Sequence, residues 1–268
     1  MKKWVVGLLS PLLGWSLECQ PWFGDLYEFD LLATYAYSQF SSVQGARPPY
    51  HHFFQSNLLS LGLDFCPNPD WSVDADFQCA STTSNSFYWQ SVALQGRYLW
   101  LDDVIGDPIS LTTGLSCRAT STTGLKDISC PSHGNADIEL NFALGREFDS
   151  SRDWRFRCWA FGALGQANRG SPWVRGIVAL ESNVRDTHRF AFFVLGTNGY
   201  GRHTHVHVNQ FFGYGKIREK VIDVGLRYGL HFNSWGTLRL SYARRVLAKA
   251  APENVNTWAI SFLFPFSL

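Results

Sequence analysis

The sequence is poor in lysine, in methionine and in net charge. Only 6 of its 23 basic residues are lysine, methionine occurs once, and the formal charge over 268 residues is +1. A nucleic-acid binder needs a clustered basic excess, and none is present. Long apolar runs are missing as well. Beyond the N-terminus no stretch approaches the roughly 18 apolar residues that a membrane-spanning helix requires. Helical periodicity is absent throughout. Disorder is excluded for the opposite reason: a chain 46% hydrophobic and 16% aromatic, with 11 Trp and 21 Phe, has ample apolar surface to bury.

The N-terminus carries an export signal. Lys2 and Lys3 precede the apolar stretch from Trp4 to Leu13, and the small residues Gly14 and Ser16 follow. A basic start, a short apolar run and small residues after it form a secretory signal peptide. Cleavage is expected between residues 16 and 19, leaving one domain over 20–268. A lipoprotein signal would need a small residue before Cys19, and Glu18 stands there. The six cysteines, Cys19, Cys66, Cys79, Cys117, Cys130 and Cys158, suit an oxidising compartment. Cys117 and Cys130 flank a polar stretch and could close a loop as a disulfide. If Cys19 leaves with the signal, an odd thiol remains for a disulfide-linked envelope partner.

Period-two alternation decides the fold class. Tyr27, Phe29, Leu31, Ala33, Tyr35 and Tyr37 share one face, and Glu28, Asp30, Thr34 and Ser38 share the other. Leu59 to Phe65, Trp71 to Phe77, Ile138 to Leu144, Trp154 to Cys158 and Ile222 to Phe232 repeat the pattern. Such alternation marks half-buried strands. Aromatic residues sit near strand ends (Tyr27, Trp71, Tyr88, Trp100, Trp154, Trp258), as an interfacial girdle requires, so the apolar face is assigned to lipid and the polar face to an interior. Short and long connections alternate along the chain, the short ones including 149–153, 185–187 and 233–236. The expectation is an all-β, closed antiparallel transmembrane barrel of 12 strands, near 25–40, 53–66, 71–81, 87–101, 109–120, 136–148, 154–165, 173–185, 189–199, 221–232, 237–247 and 257–267. The count becomes 14 if residues 203–215 form a further pair.

The last strand places Trp258, Ile260, Phe262, Phe264, Phe266 and Leu268 on one face. It resembles the C-terminal aromatic signature of Gram-negative outer-membrane β-barrel proteins, although that signature usually ends in Phe. The resemblance spans the whole mature chain. It implies an outer-membrane location, contact with outer-membrane lipid, and recognition of the final strand by the barrel-assembly machinery. The stretch Trp22–Phe29, with Leu263–Phe266, is similar to a chlamydial type of outer-membrane protein.

Specific catalytic patterns are missing. No His-x-Ser pair of the phospholipase-type barrels, no Gly-x-Ser-x-Gly elbow and no His-Glu-x-x-His occurs. An outer-membrane hydrolase is a further alternative that no motif supports, and no cofactor is implied. His203, His205 and His207 would share a strand face with side chains about 6–7 Å apart. Two of these imidazoles with a neighbour could hold Zn²⁺ or Cu²⁺, and the competing reading is a polar face that uses histidines.

Charge placement is the main functional clue. Residues 20–150 hold 15 acids and 5 bases, while residues 151–268 hold 6 acids and 16 bases. Alternation turns Glu28, Asp30, Asp64, Asp74, Asp76, Asp137, Glu139 and Glu147 inward from the first half. It turns Arg155, Arg157, Arg175, Arg185, Arg189, Arg227, Arg239 and Arg245 inward from the second. Opposed acidic and arginine walls resemble the constriction of general porins, where a transverse field favours dipolar solutes. That implies a narrow passive channel for small polar or zwitterionic solutes. The alternative is a structural barrel whose walls salt-bridge across a filled interior. Lumen-side changes such as Gly225→Ala are expected to be mild.

Overall fold

The computed structural model describes residues 17, 19–151, 153–232 and 235–267. The expected signal peptide lies almost wholly outside the described residues, as do Leu268 and the tip of the turn at 233–234. Twelve strands close into an antiparallel barrel: β1 (Glu28–Phe40), β3 (Phe54–Asn68), β4 (Trp71–Thr82), β5 (Tyr88–Leu101), β6 (Ser110–Thr120), β7 (Ala136–Ser151), β8 (Trp154–Ala167), β9 (Trp173–Val184), β10 (His188–Gly199), β11 (Lys220–Phe232), β12 (Gly236–Lys249) and β14 (Asn256–Ser267). Each strand pairs with its sequence neighbours, and β1 closes the ring against β14, with Phe29 opposite Phe266 and Tyr37 opposite Trp258. Closure removes every sheet edge, which a bilayer demands because it offers no partner to free backbone groups. No helix among the described residues is long and apolar enough to cross a membrane.

The alternation of the sequence maps onto the wall. Leu61, Leu94, Leu140, Val178, Leu226 and Ile260 are exposed on the outside. Ser60, Gln78, Gln95, Asn141 and Arg239 are buried on the inside. At the end bearing the short turns, Trp71, Trp100, Trp154 and Trp235 stand exposed as an aromatic girdle. Tyr98 packs edge-on against Trp71 and Trp100 within it. Tyr88 departs from the expected girdle. A register shift lets Gln78 face Ser91 while Cys79 faces Trp89, leaving Gln90 as an extra residue. A bulge of this kind reverses facing beyond it. Trp89 therefore points out, and the Tyr88 hydroxyl donates to Asp127 at 3.2 Å.

The long connections fold into a cap at the opposite end. Helix α1 (Thr122–Lys126) starts at Ser121, whose hydroxyl accepts the Gly124 N–H. Asp127 ties it to the hairpin of β4 and β5, accepting from Thr82 Oγ1 at 2.9 Å and Asn85 Nδ2 at 3.2 Å. The two-residue strands β2 (Ser42–Val43) and β13 (Pro252–Glu253) pair above the barrel. Residues 203–215 form no further barrel strands. They lie over the 121–135 loop, with Gly213 N–H donating to Leu125 O and Tyr214 N–H to Ser132 O. Phe40, Phe54, Ile128, Val206, Phe211, Tyr214 and Ile217 make the apolar centre of this cap. The Tyr214 hydroxyl donates to Ile128 O at 2.7 Å, and burial pushes its acidity well out of the ordinary range, so it stays a donor.

Candidate functional site: an occupied lumen

The interior is polar, yet it is not empty. Leu17, Cys19, Gln20, Trp22 and Phe23, which precede β1, are all buried. They lie within the ring rather than in its wall. The Arg97 guanidinium donates to Gln20 O at 2.7 Å and lies over the Phe23 ring at 4.9 Å. Trp22 Nε1 donates to Asp103 at 2.8 Å, and Arg157 lies 4.7 Å over the Trp22 ring. A side-chain carbon on Gly145 would sit 2.7 Å from Trp22 and 2.8 Å from Pro21, so that wall position must lack one for the segment to fit. An apolar patch on β8, β9 and β10 (Trp159, Phe161, Ile177, Phe193 and Leu195) packs in one cluster with Cys19 and Trp22. Strict alternation fails along Trp159–Phe161 and Phe192–Phe193, where both faces turn apolar. That loss of pattern was the sequence signal for a patch inside the lumen.

Most of the predicted wall residues do face inward, but they do not form two bare opposed walls. In the acidic half, Arg97 Nε meets Asp74 at 3.2 Å, and Ser60 and Gln78 donate to Asp76 at 2.7 and 2.6 Å. Asp64 accepts from Ser72 at 2.8 Å, and Asp30 and Asp64 line one small cleft with Asp74. Arg118, fully inside, donates to Gln78 and Ser91. Arg97 and Arg118 are thus basic residues inside the acidic wall. Glu28 lies half-buried at the turn end, where like-charged Asp25 neighbours it.

At the seam between the halves, Arg175 grips Glu139 through two nitrogens at 2.9–3.1 Å while Trp173 Nε1 donates to the same carboxylate at 3.0 Å. Arg157 Nε donates to Glu147 at 2.6 Å, directly across β7 and β8. In the basic half, Arg245 pairs with Asp223 at 2.8 Å, and Glu181 accepts from Trp159 Nε1 at 2.9 Å. Most of these ion pairs join adjacent strands, Arg175 and Glu139 span the intervening β8, and none among them reaches across the lumen. Asp137 accepts the His133 backbone N–H at 3.3 Å. The His133 ring stacks on Trp173 at 3.8 Å with Nε2 2.9 Å from Glu219, closing the wall under the cap. Beneath the cap lies a small cavity of about 100 Å³ reached by Ser38, Ser56, Arg175 and Arg245.

Three expectations are corrected. Arg185 is not in the lumen: it sits exposed in the turn between β9 and β10 at φ 54°, because the strand ends one residue earlier. Cys117 and Cys130 are not bridged. Cys117 falls on the outward parity of β6 and is exposed, Cys130 is buried beneath the cap, and all six cysteines are free. Burial also pushes the Cys130 thiol up, away from the reactive thiolate. His203, His205 and His207 occupy an irregular stretch of the cap rather than a strand, so they share no face, and no metal-holding group of His, Cys, Asp or Glu occurs among the described residues.

No family model and no curated protein matches the chain. Solved structures do. An outer-membrane channel from Pseudomonas putida F1 superposes with a TM-score of 0.65 at 11% identity, over 90% of this chain and 96% of that one. The porin NanC gives 0.55 at 12% identity, over 87% and 98%. The translocator domain of the autotransporter NalP from Neisseria meningitidis gives 0.52 at 13% identity, over 89% and 88%. At such identities the likeness speaks to architecture, and what it establishes is that this chain has the closed 12-stranded fold of Gram-negative outer-membrane β-barrels.

Proposed function

We propose that the protein is a narrow outer-membrane channel for small polar or zwitterionic solutes, captured with its lumen closed. The apolar belt and aromatic girdle suit it to the outer membrane, with the short turns on the periplasmic side and the cap outside. The observation that carries the channel reading is the nature of the occlusion. Outside the apolar patch of β8–β10 the wall is lined by Ser, Thr, Gln, Asn and ion pairs, and what fills its centre is the separate segment of Leu17 and residues 19–23. Twelve strands enclose more room than eight, whose side chains suffice to fill the interior, and less than sixteen, which leave an open aqueous pore. A removable filler is what a gated barrel of this size requires. The chlamydial likeness of Trp22–Phe29 rests on residues of this same filler and the start of β1.

A second reading is a structural envelope barrel, and one observation favours it: Cys19 and Trp22 pack into the apolar patch of β8–β10 as a permanent core would. Conductance in a planar bilayer separates the two. The whole protein should be silent or show rare small steps, and a variant starting at Asp25 should show steps that scale with salt. If the shortened variant keeps its heat-modifiable gel mobility, and so its barrel, yet stays silent, the channel reading fails and the structural one stands.

A further inference from the structure

We infer that the outward face of β11 and β12 beside the cap is a docking site for a phosphate-bearing lipid of the outer leaflet, of the lipid A kind. The site rests on the cap standing outside, and not on whether the lumen conducts. Its apolar part is a groove of about 840 Å³ on the lipid side of the wall. The groove runs from Tyr242 and Trp258, whose rings meet at 5.5 Å near the cap, to Leu226 and Phe190 nearer the turns. Its basic part stands at the cap end of that groove. Tyr242 opposes Trp258, and Arg244, next on the same face of β12, opposes Asn256. A register shift leaves Val246 as an extra residue, which brings Leu247 and Lys249 back to the outward face. Lys249 then lies directly opposite Lys220 of β11.

Arg244, Lys220 and Lys249 are exposed, and none of them makes an ion pair among the described residues. Elsewhere on the wall the outward positions toward the cap are uncharged, with Gln39, Asn57, Cys117, Gln166 and Asn198 in those places. Lys216 and Arg218 extend the patch above the strands, whereas Asp127 and Glu219, acids of the cap, are buried. Two lysines directly opposite on neighbouring strands repel each other. A phosphate set between them turns that repulsion into attraction, and the Arg244 fork beside it takes phosphate oxygens two at a time. Basic residues at headgroup depth are how membrane proteins hold anionic lipids. A soluble anion would meet the basic part alone. A lipid meets both parts, its phosphate on the cations and its acyl chains in the groove below them.

The test is a thermal unfolding titration of the whole protein in phosphate-free maltoside micelles, with diphosphoryl lipid A added at constant detergent. A ligand that binds only the folded state raises the midpoint by mass action. Lipid A should give a saturable rise that phosphatidylcholine does not. The double variant Lys220→Gln with Lys249→Gln should weaken the apparent affinity at least tenfold. Its lipid-free midpoint should not fall, because the pair it removes is repulsive. Arg244→Gln should weaken binding as well, and it keeps the test usable if the double variant folds poorly. Arg146→Gln, outward on β7 near the turns, should leave the affinity unchanged. A midpoint no higher with lipid A than with phosphatidylcholine overturns the inference, as does an unchanged affinity in both the double variant and Arg244→Gln. An equal loss in Arg146→Gln overturns the location. An equal rise with inorganic phosphate at the same concentration overturns the lipid as the source. The titration reads binding and not current, so its outcome is separate from that of the conductance experiment.

Discussion

The two halves of the barrel wall solve the same problem differently. Strands β1 to β7 carry the acids, and each inward carboxylate of β3 and β4 finds partners on its own half: Asp74 with Arg97, Asp76 with Ser60 and Gln78, Asp64 with Ser72. Strands β8 to β14 carry the arginines. They satisfy some at the seam, where Glu139 and Glu147 reach over from β7, and leave a guanidinium-rich cleft near the turns. Net charge along a chain therefore says which half is rich in a sign, and not whether that sign is expressed as a field. In the acidic half neutralisation is local and complete enough to build structure. In the basic half Arg155, Arg157, Arg189, Arg227 and Arg239 instead gather with Glu181 around one cleft.

The largest effect should come from the seam. Arg175→Met leaves Glu139 buried with Trp173 as its remaining close donor, and breaking a buried pair costs about 3–5 kcal/mol. The loss should appear in urea unfolding, and a loss below about 1 kcal/mol would show that the seam does not hold the halves together. Next come the outer faces, which should not distinguish the halves at all. Leu61→Arg in β3 and Leu226→Arg in β11, both more than half exposed to lipid, should each cost about 2–4 kcal/mol. Unequal penalties in refolding experiments would mean that one of the two does not sit at mid-membrane depth.

Gly145→Ala tests whether the N-terminal filler is gripped by the wall. The added carbon meets Trp22 and Pro21, and overpacking of that kind costs about 1–3 kcal/mol. In the variant starting at Asp25 only the close approach to the Trp159 Cβ at 2.9 Å remains, so the same substitution should cost less there, and thermal unfolding of both pairs measures the difference. The smallest effect belongs to the rim. Arg155→Gln removes exposed contacts to Asp149 and Asp186 and should shift stability by no more than about 1 kcal/mol, as exposed ion pairs do.

The strands were legible because each residue position along a strand fixes which side it faces. Leu59, Leu61 and Leu63 against Ser60 and Asp64 announce both the strand and its orientation. The failures occur where that rule is interrupted. The extra residue at Gln90 turned Tyr88 from the girdle to the cap. Parity likewise sent Cys117 out to lipid while Cys130 went under the cap, which no spacing between cysteines reveals. Gly225 reads as a tolerant lumen position, yet a side-chain carbon there would overlap the ring of Phe193 on the neighbouring strand. The His203, His205 and His207 alternation looked like a strand face because the sequence alternates there too, but the segment bends over α1 and its loop instead of pairing into the wall.

By itself the sequence determined the barrel, its strand boundaries to within a few residues, its lipid face and the signs of its two halves. All of these follow from local alternation and from composition. Only the tertiary structure decided that Leu17 and residues 19–23 fill the lumen, that the long loops close one mouth, and that the buried Arg189 guanidinium has no hydrogen bond among the described residues. Those facts depend on which side chains meet across strands distant in sequence, and a two-residue period carries information about facing, not about who is faced.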